Sequence, residues 1–414
     1  MRRWRPVALV SASSLASSGL ALLVFLGAGR ALDPQSFTDF AGVWGAIFGM
    51  AAVLGAIELE AARQAAAGQD TGPLTRTALL FGSVLALAGV LGAPLIATAL
   101  QLSEPRVALA IPAALATYPL LFVVRGTLAG SDRLGAYAGI TPLENAIRLG
   151  VAIPSMLSGT ARFVSAIAIG PLAFTPWMSM ISAPMKQRWS WTELRSQLGG
   201  IAPLLSGNLA GALLITGMPA TAIIVLGDND AVGISAAVAL ATISRVPLVL
   251  LNSVYGLLVP WFMRGGRFRT NHAVGRRVSF QVIVALIAVA AAILGLGGAI
   301  TAIGARFMID APERIALGVA LVYTAGAGCL GLIQVATARL VAAGRRGSVQ
   351  TMWWSAAITA VAIMIVGRST STDVVLSLAA AQLVGPLVGL AVASRTLTRL
   401  RHATPTPPPL SREY

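Results

Sequence analysis

From about residue 7 to residue 394 the chain alternates between apolar stretches of about 20 residues and short polar breaks rich in arginine. An apolar helix of about 20 residues crosses a hydrocarbon core of roughly 30 Å, so the pattern predicts a series of membrane-crossing helices. The expected spans cover 7–31, 38–61, 78–100, 107–128, 136–157 and 162–182, then 201–226, 232–259, 278–303, 315–338, 350–367 and 374–394. The short alternating segments of a membrane barrel are not visible in the sequence. The first stretch is longer than the apolar core of a secretory signal and reads as the first span. Prolines 94, 112, 119, 142, 154, 171, 176, 203, 219, 247 and 386 fall inside spans; membrane helices tolerate them where neighbours satisfy the freed backbone groups.

One break differs from the rest. Residues 183–200 set Trp189, Trp191, Leu194 and Leu198 among Lys186, Arg188, Glu193 and Arg195, the composition of an amphipathic helix lying on a membrane surface. The chain is therefore expected to have an N-terminal six-helix lobe over 1–182 and an amphipathic cytoplasmic linker over 183–200. A C-terminal six-helix lobe would follow over 201–394, with a disordered, proline-rich tail over 395–414. The lobes share an outline, with one hairpin around Asp33 and another around Asp228 and Asp230. Duplicated halves enclosing a binding site recur in secondary transporters. The small-residue pairs Gly45/Gly49, Gly207/Gly211 and Gly385/Gly389 are expected to mark close helix packing.

Composition makes lipid the solvent for much of this chain. Charged residues are 11% and hydrophobic residues 56%, with mean hydropathy +0.80, against roughly 25% charged residues in a soluble domain. A net charge of +15 suggests nucleic acid until its distribution is considered. Of the 30 basic residues, 21 fall on one set of loops and six on the other, while Arg125, Arg148 and Arg245 fall within spans. That bias predicts a multi-pass membrane protein with both termini in the cytoplasm, its basic face attracting anionic lipids. Cys329 is the lone cysteine, and His272 and His402 stand apart from any group with metal-ligand spacing. No metal, cofactor or nucleic-acid partner is expected. The external loops are short and carry no acid–base pair, so no enzyme is expected either.

A charge at the bilayer centre costs about 2.5–3.5 kcal/mol on insertion scales and needs a reason. Arg245 lies mid-span beside Ser244 and Pro247; it reads either as an anion-binding group in a wet cavity or as an arginine bonded to free backbone carbonyls. Arg148 follows Glu144 by one helical turn, the spacing of a favourable pair. The two read as a mutually neutralised structural pair, with Glu144 as a possible ion relay the alternative. Asn208 and Asn252 read as interhelical hydrogen-bonding groups with access to a substrate path. Arg125 is expected to snorkel to headgroups, and Glu58 and Glu60 to be exposed near a helix end.

The residues from Gly29 to Ala41 read Gly-Arg-Ala-Leu-Asp-Pro-Gln-Ser-Phe-Thr-Asp-Phe-Ala. This resembles the segment after the first helix of bacterial polysaccharide and lipid-linked oligosaccharide flippases, within the multidrug/oligosaccharidyl-lipid/polysaccharide (MOP) exporter superfamily. Gly29, Arg30, Leu32, Pro34, Phe37 and Ala41 match that pattern, Phe40 keeps its aromatic, and Asp33 and Thr38 stand where glycines are usual. The run from Gly55 to Arg63 is similar to the family's second helix, and Tyr255 to Pro260 to the end of its eighth. The resemblance implies an all-α integral membrane fold of about 12 transmembrane helices in two six-helix lobes around a central cavity, as in MATE transporters. It also implies alternating access for a lipid-linked oligosaccharide or polysaccharide precursor, with Arg245, Arg30, Arg148, Asn208 and Asn252 along the substrate path. Its partners would be the lipid-linked glycan, membrane lipids and polysaccharide-assembly enzymes. The alternatives are a cation-coupled drug exporter of the same superfamily, and a membrane-embedded glycan polymerase, glycosyltransferase or scaffold.

Overall fold

The computed structural model describes residues 5–155, 160–180, 190–215, 231–265, 295–306, 315–370 and 373–402. Among the described residues the apolar stretches fold as helices and no strand occurs. The first half comprises α1 (Arg5–Ala31), α2 (Pro34–Ala66), α3 (Gly72–Leu91), α4 (Ala93–Ala99), α5 (Ala110–Gly130), α6 (Leu134–Ser155) and α7 (Thr160–Ile169). The second comprises α8 (Trp191–Ile215), α9 (Ala231–Ser244), α10 (Val246–Gly265), α11 (Leu317–Ala342), α12 (Arg346–Ser369) and α13 (Val374–His402), with a further helical stretch over 295–306. Among the described residues, seven helices are long and apolar enough to cross a membrane.

Proline chemistry explains where spans break. Pro94 and Pro247 lack the N–H that would close a helical turn, and their rings crowd the carbonyl four residues back. The third expected span accordingly breaks at Gly92, between α3 and α4, and the span 232–259 breaks at Arg245, between α9 and α10. The sixth tightens into a 3-10 segment over Gly170–Trp177, which contains Pro171 and Pro176. Elsewhere helices outrun the expected boundaries. Residues 191–200, expected in a surface linker, are the first turns of α8, so the helix is continuous across 201. Residues 395–402, expected in the disordered tail, extend α13; no proline interrupts the chain there before Pro405. Residues 183–189, Asp228, Asp230 and 403–414 lie outside the described residues.

On α3 and α4 the large apolar side chains Leu80, Val84, Leu87, Leu91 and Leu95 recur at helical spacing and are all exposed, reaching 76% at Leu95. A stripe of this kind needs lipid or a partner to cover it. Inward, the buried apolar residues form two clusters, one spanning Val10 to Ile201 and the other built mainly from Leu204 to Ala393. Ala56 and Leu59 of α2 belong to the second cluster, while Leu54, Ile57 and Ala61 of the same helix belong to the first. α2 therefore serves both halves from opposite faces, packing on α5 and α1 in its own half and on α8 and α10 in the other.

Glycine permits the closest of these approaches. A Cβ at Gly126 of α5 would overlap the backbone of Glu58 and the Ala61 methyl, and one at Gly130 would overlap Ala62 and Ala65. Gly207 and Gly211 of α8 meet Val349 and Trp353 of α12, and Gly385 and Gly389 of α13 meet Ala356 of α12, as the small-residue spacing predicts. Gly45 is a correction, since nothing lies within 4 Å of a Cβ built there. Gly126→Ala and Gly130→Ala are each expected to lower stability by about 1–3 kcal/mol through overpacking. Gly135→Ala, which meets nothing within 4 Å, should be neutral or slightly stabilising. Thermal unfolding of the solubilised protein separates the three, and equal behaviour would refute the α2–α5 contact.

Candidate functional site

Between the halves lies a cavity of about 510 Å³, within the usual size range of ligand pockets. Its walls come from α1, α2, α5 and α6 on one side and from α8, α10, α11 and α12 on the other. Aromatic side chains line it, among them Trp44 and Phe48 of α2, Tyr118 and Phe122 of α5, Tyr255 of α10 and Trp353 of α12. Two pairs of opposite charge lie among them.

The first pair is local in sequence. Glu144 and Arg148 share one face of α6, and both are buried. The Arg148 guanidinium donates to the Glu144 carboxylate, to Asn145 Oδ1 and, at 2.7 Å, to the Tyr118 hydroxyl, which itself donates to Glu144 Oε1 at 3.2 Å. Asn145 Nδ2 continues the network to Ser17 Oγ of α1 at 2.6 Å. Phe48 lies under the guanidinium, 5.0 Å from its carbon to the ring centre. Gly170 packs against the same group, where a Cβ would overlap it. The expected pair is present, and it faces the cavity.

The second pair comes from distant parts of the chain. Arg125 Nε of α5 lies 3.2 Å from Glu58 Oε2 of α2, and the Tyr137 hydroxyl of α6 donates to Glu58 Oε1 at 3.1 Å. Arg125 also stands over the rings of Phe122 and Tyr137, at 5.8 and 5.7 Å. A Cβ at Gly256 of α10 would overlap the Glu58 carboxylate, so a glycine lets the second half close against this pair. Two expectations are corrected here. Glu58 is 6% exposed rather than solvated, and Arg125 is turned to a carboxylate rather than to headgroups. A signal existed in the sequence. Spans two and four run in the same direction, and each residue lies within about two turns of its helix's end, so the two charges reach the same depth.

Glu60 is the third correction. It is 1% exposed and sits between two guanidiniums. Arg63 donates to it at 2.8 and 3.0 Å, and Arg346, at the start of α12, donates at 2.6 and 3.0 Å. Gln64 Nε2 donates both to Glu60 at 2.9 Å and to Gln197 of α8 at 2.8 Å. Nearby, Arg76 of α3 pairs with Glu193 of α8 at 2.9 Å. At this basic end of the bundle, polar side chains thus tie the two halves together.

The other expected site residues are dispersed. Asn208 lines the cavity and donates to the carbonyls of Ala52 and Val53 at 3.2 and 3.4 Å, bridging α8 to α2. Arg245 does not line the cavity. It donates to the carbonyls of Leu214 and Ile215 at the end of α8, the former at 2.9 Å, and to Gln382 Oε1 of α13 at 2.6 Å. Pro219 has no N–H with which a continuing helix could occupy the Ile215 carbonyl. The bonds from Arg245 to Leu214 and Ile215 are of the carbonyl-bonding kind, with carbonyls supplied by α8. Arg30 is exposed at the end of α1 and does not line the cavity. The side chain of Asn252, on α10, lies outside the described residues.

No family model matches the chain. It is similar to an uncharacterized protein of Mycobacterium tuberculosis, 27% identical over 420 residues that cover 94% of this chain and 90% of the relative. Among solved structures it is similar to a eukaryotic MATE transporter, with a TM-score of 0.72 at 12% identity and 96% of each chain covered. It is also similar to a MOP superfamily transporter from Pyrococcus furiosus, with a TM-score of 0.68 at 14% identity and 96% of each chain covered. At such identities the likeness is one of fold, and the whole length takes part in it. The chain has the all-helical fold of MATE and MOP superfamily transporters, with two lobes around a central cavity.

Proposed function

We propose that this protein moves a lipid-linked oligosaccharide or polysaccharide precursor across the bacterial cytoplasmic membrane by alternating access, with both termini inside. The observation that carries the reading is that each carboxylate lining the cavity is paired with an arginine. A guanidinium keeps its charge in proteins, whereas a carboxylate can take a proton. The four groups therefore sum to zero or to a positive charge, never to a negative one. That favours an anionic headgroup over a cationic drug, for which no carboxylate among the described lining residues is left without an arginine. Arginine's planar fork suits phosphate oxygens, and the aromatic walls suit the faces of sugar rings. The resemblance of Gly29–Ala41 to the polysaccharide flippases points the same way. The Pyrococcus furiosus transporter of the same fold is described as having a binding pocket of reverse polarity that suggests a different function.

The test is transbilayer movement of a fluorescent farnesyl-diphosphoryl sugar in vesicles containing the purified protein. Movement should be at least about tenfold faster than in empty vesicles and should fall to the empty-vesicle rate in Arg148→Gln. A tenfold change in rate corresponds to about 1.4 kcal/mol of barrier. Ethidium extrusion without glycan-lipid movement would replace the reading with that of a cation exporter.

A further inference from the structure

Both arginines of the cavity are already occupied by a carboxylate, and this sets a condition on any anion that enters. Glu58, Arg125, Glu144 and Arg148 form two ion pairs of zero net charge, close enough for Glu144 to act electrostatically on Glu58. Placing a dianion beside them would leave two uncompensated negative charges in a largely buried, apolar-walled space, which is costly. Among the described residues, the charged or titratable groups facing these carboxylates are Arg148 of α6, Tyr118 and Arg125 of α5, Tyr137 of α6 and Tyr255 of α10. Among the described lining residues no further cation makes up the deficit.

We infer that the cavity binds a diphosphate diester by exchange, in which Arg148 and Arg125 turn from Glu144 and Glu58 to the phosphate oxygens while each carboxylate takes up one proton. The inference rests on the anionic-substrate reading above and adds its coupling. The balance closes: two guanidiniums, two neutral carboxyls and one dianion sum to zero, as the empty cavity does. The protons come from the bulk solvent, relayed through cavity water, onto the carboxylate oxygens that give up their arginines. Tyr118 and Tyr137, now donors to those carboxylates, are placed to accept from the carboxyl O–H instead, since a hydroxyl serves either way. Proton and anion then bind together and are released together.

The experiment is calorimetric titration of the full-length protein in nanodiscs with farnesyl-diphosphoryl-N-acetylglucosamine, a diester whose two charges stay constant near neutral pH. Repeating it in buffers of different ionisation enthalpy counts the protons taken up. Wild type should take up about two protons per ligand, and affinity should weaken with rising pH by up to about tenfold per pH unit for each linked proton. Glu144→Gln or Glu58→Gln should each reduce the count to about one, and the double variant should bind with no pH dependence. UDP-N-acetylglucosamine carries the same diester without the lipid tail, so weaker binding of it assigns the site to lipid-linked ligands. Firm binding by wild type with no proton uptake overturns the exchange and leaves the transport reading standing. Absence of binding in both wild type and the double variant overturns the two together. The wild-type count alone is decisive if a variant fails to fold.

Discussion

Arg148→Ala is expected to lower the unfolding free energy by about 3–5 kcal/mol, the range for breaking a buried ion pair by removing one partner. The reason is what remains. Glu144, 5% exposed, keeps its place on α6 with, among the described residues, the Tyr118 hydroxyl left bonded to its carboxylate, and Asn145 Oδ1 loses the Arg148 donor. The guanidinium also fills the space between Phe48 and Gly170, so its loss leaves a void. Adding Glu144→Ala should recover part of the loss, because no buried carboxylate is then stranded. Unfolding of the detergent-solubilised variants measures both steps. A double variant no more stable than Arg148→Ala would mean that Glu144 is not the residue harmed.

Glu60→Ala should destabilise the junction of the two halves by about 2 kcal/mol, the low end for a buried charge pair, since the Arg346 side chain is 28% exposed. The prediction is asymmetric. One carboxylate serves two guanidiniums, so losing Glu60 leaves Arg63 and Arg346 facing each other as like charges. Losing Arg346 leaves Arg63 in place on Glu60. Glu60→Ala should therefore cost clearly more than Arg346→Ala, and a double-mutant cycle should return a coupling energy between them. Equal single effects with no coupling would show that this network does not hold the halves. If the basic end is the cytoplasmic one, weakening the tie should also expose Gln197→Cys to a thiol reagent added from that side.

Not all of the buried charge was equally legible in the sequence. Glu144 and Arg148 could be paired on sight because four residues make one helical turn, and the structure adds only that the pair faces a cavity. Glu58 and Arg125 are 67 positions apart in the sequence, and each by itself reads as a charge at a membrane interface. Glu60 was still harder to see, because one of its partners, Arg346, belongs to the other half of the chain. Arg245 reads in the sequence either as an anion-binding group or as a carbonyl-bonded arginine, because it is the one charged residue of its span. Its partners include two carbonyls of α8 and an amide of α13, and carbonyls carry no sequence signature.

The sequence by itself determined that this chain is a polytopic helical bundle, where its apolar stretches lie, and where prolines stand within them. Those properties follow from bilayer thickness, the rise of a helix and the missing proline N–H, all of them local. Only the tertiary structure decided how each helix is rotated and which charges meet. In a water-soluble helix the polar face announces its orientation, but here lipid is as apolar as the protein interior, so both faces of a span read alike. Exposed Leu87 and buried Leu121 are the same residue in equally apolar surroundings. What separates them is the close approach that Gly126 and Gly130 allow between α5 and α2. That approach brings Arg125 to Glu58 and closes one wall of the cavity.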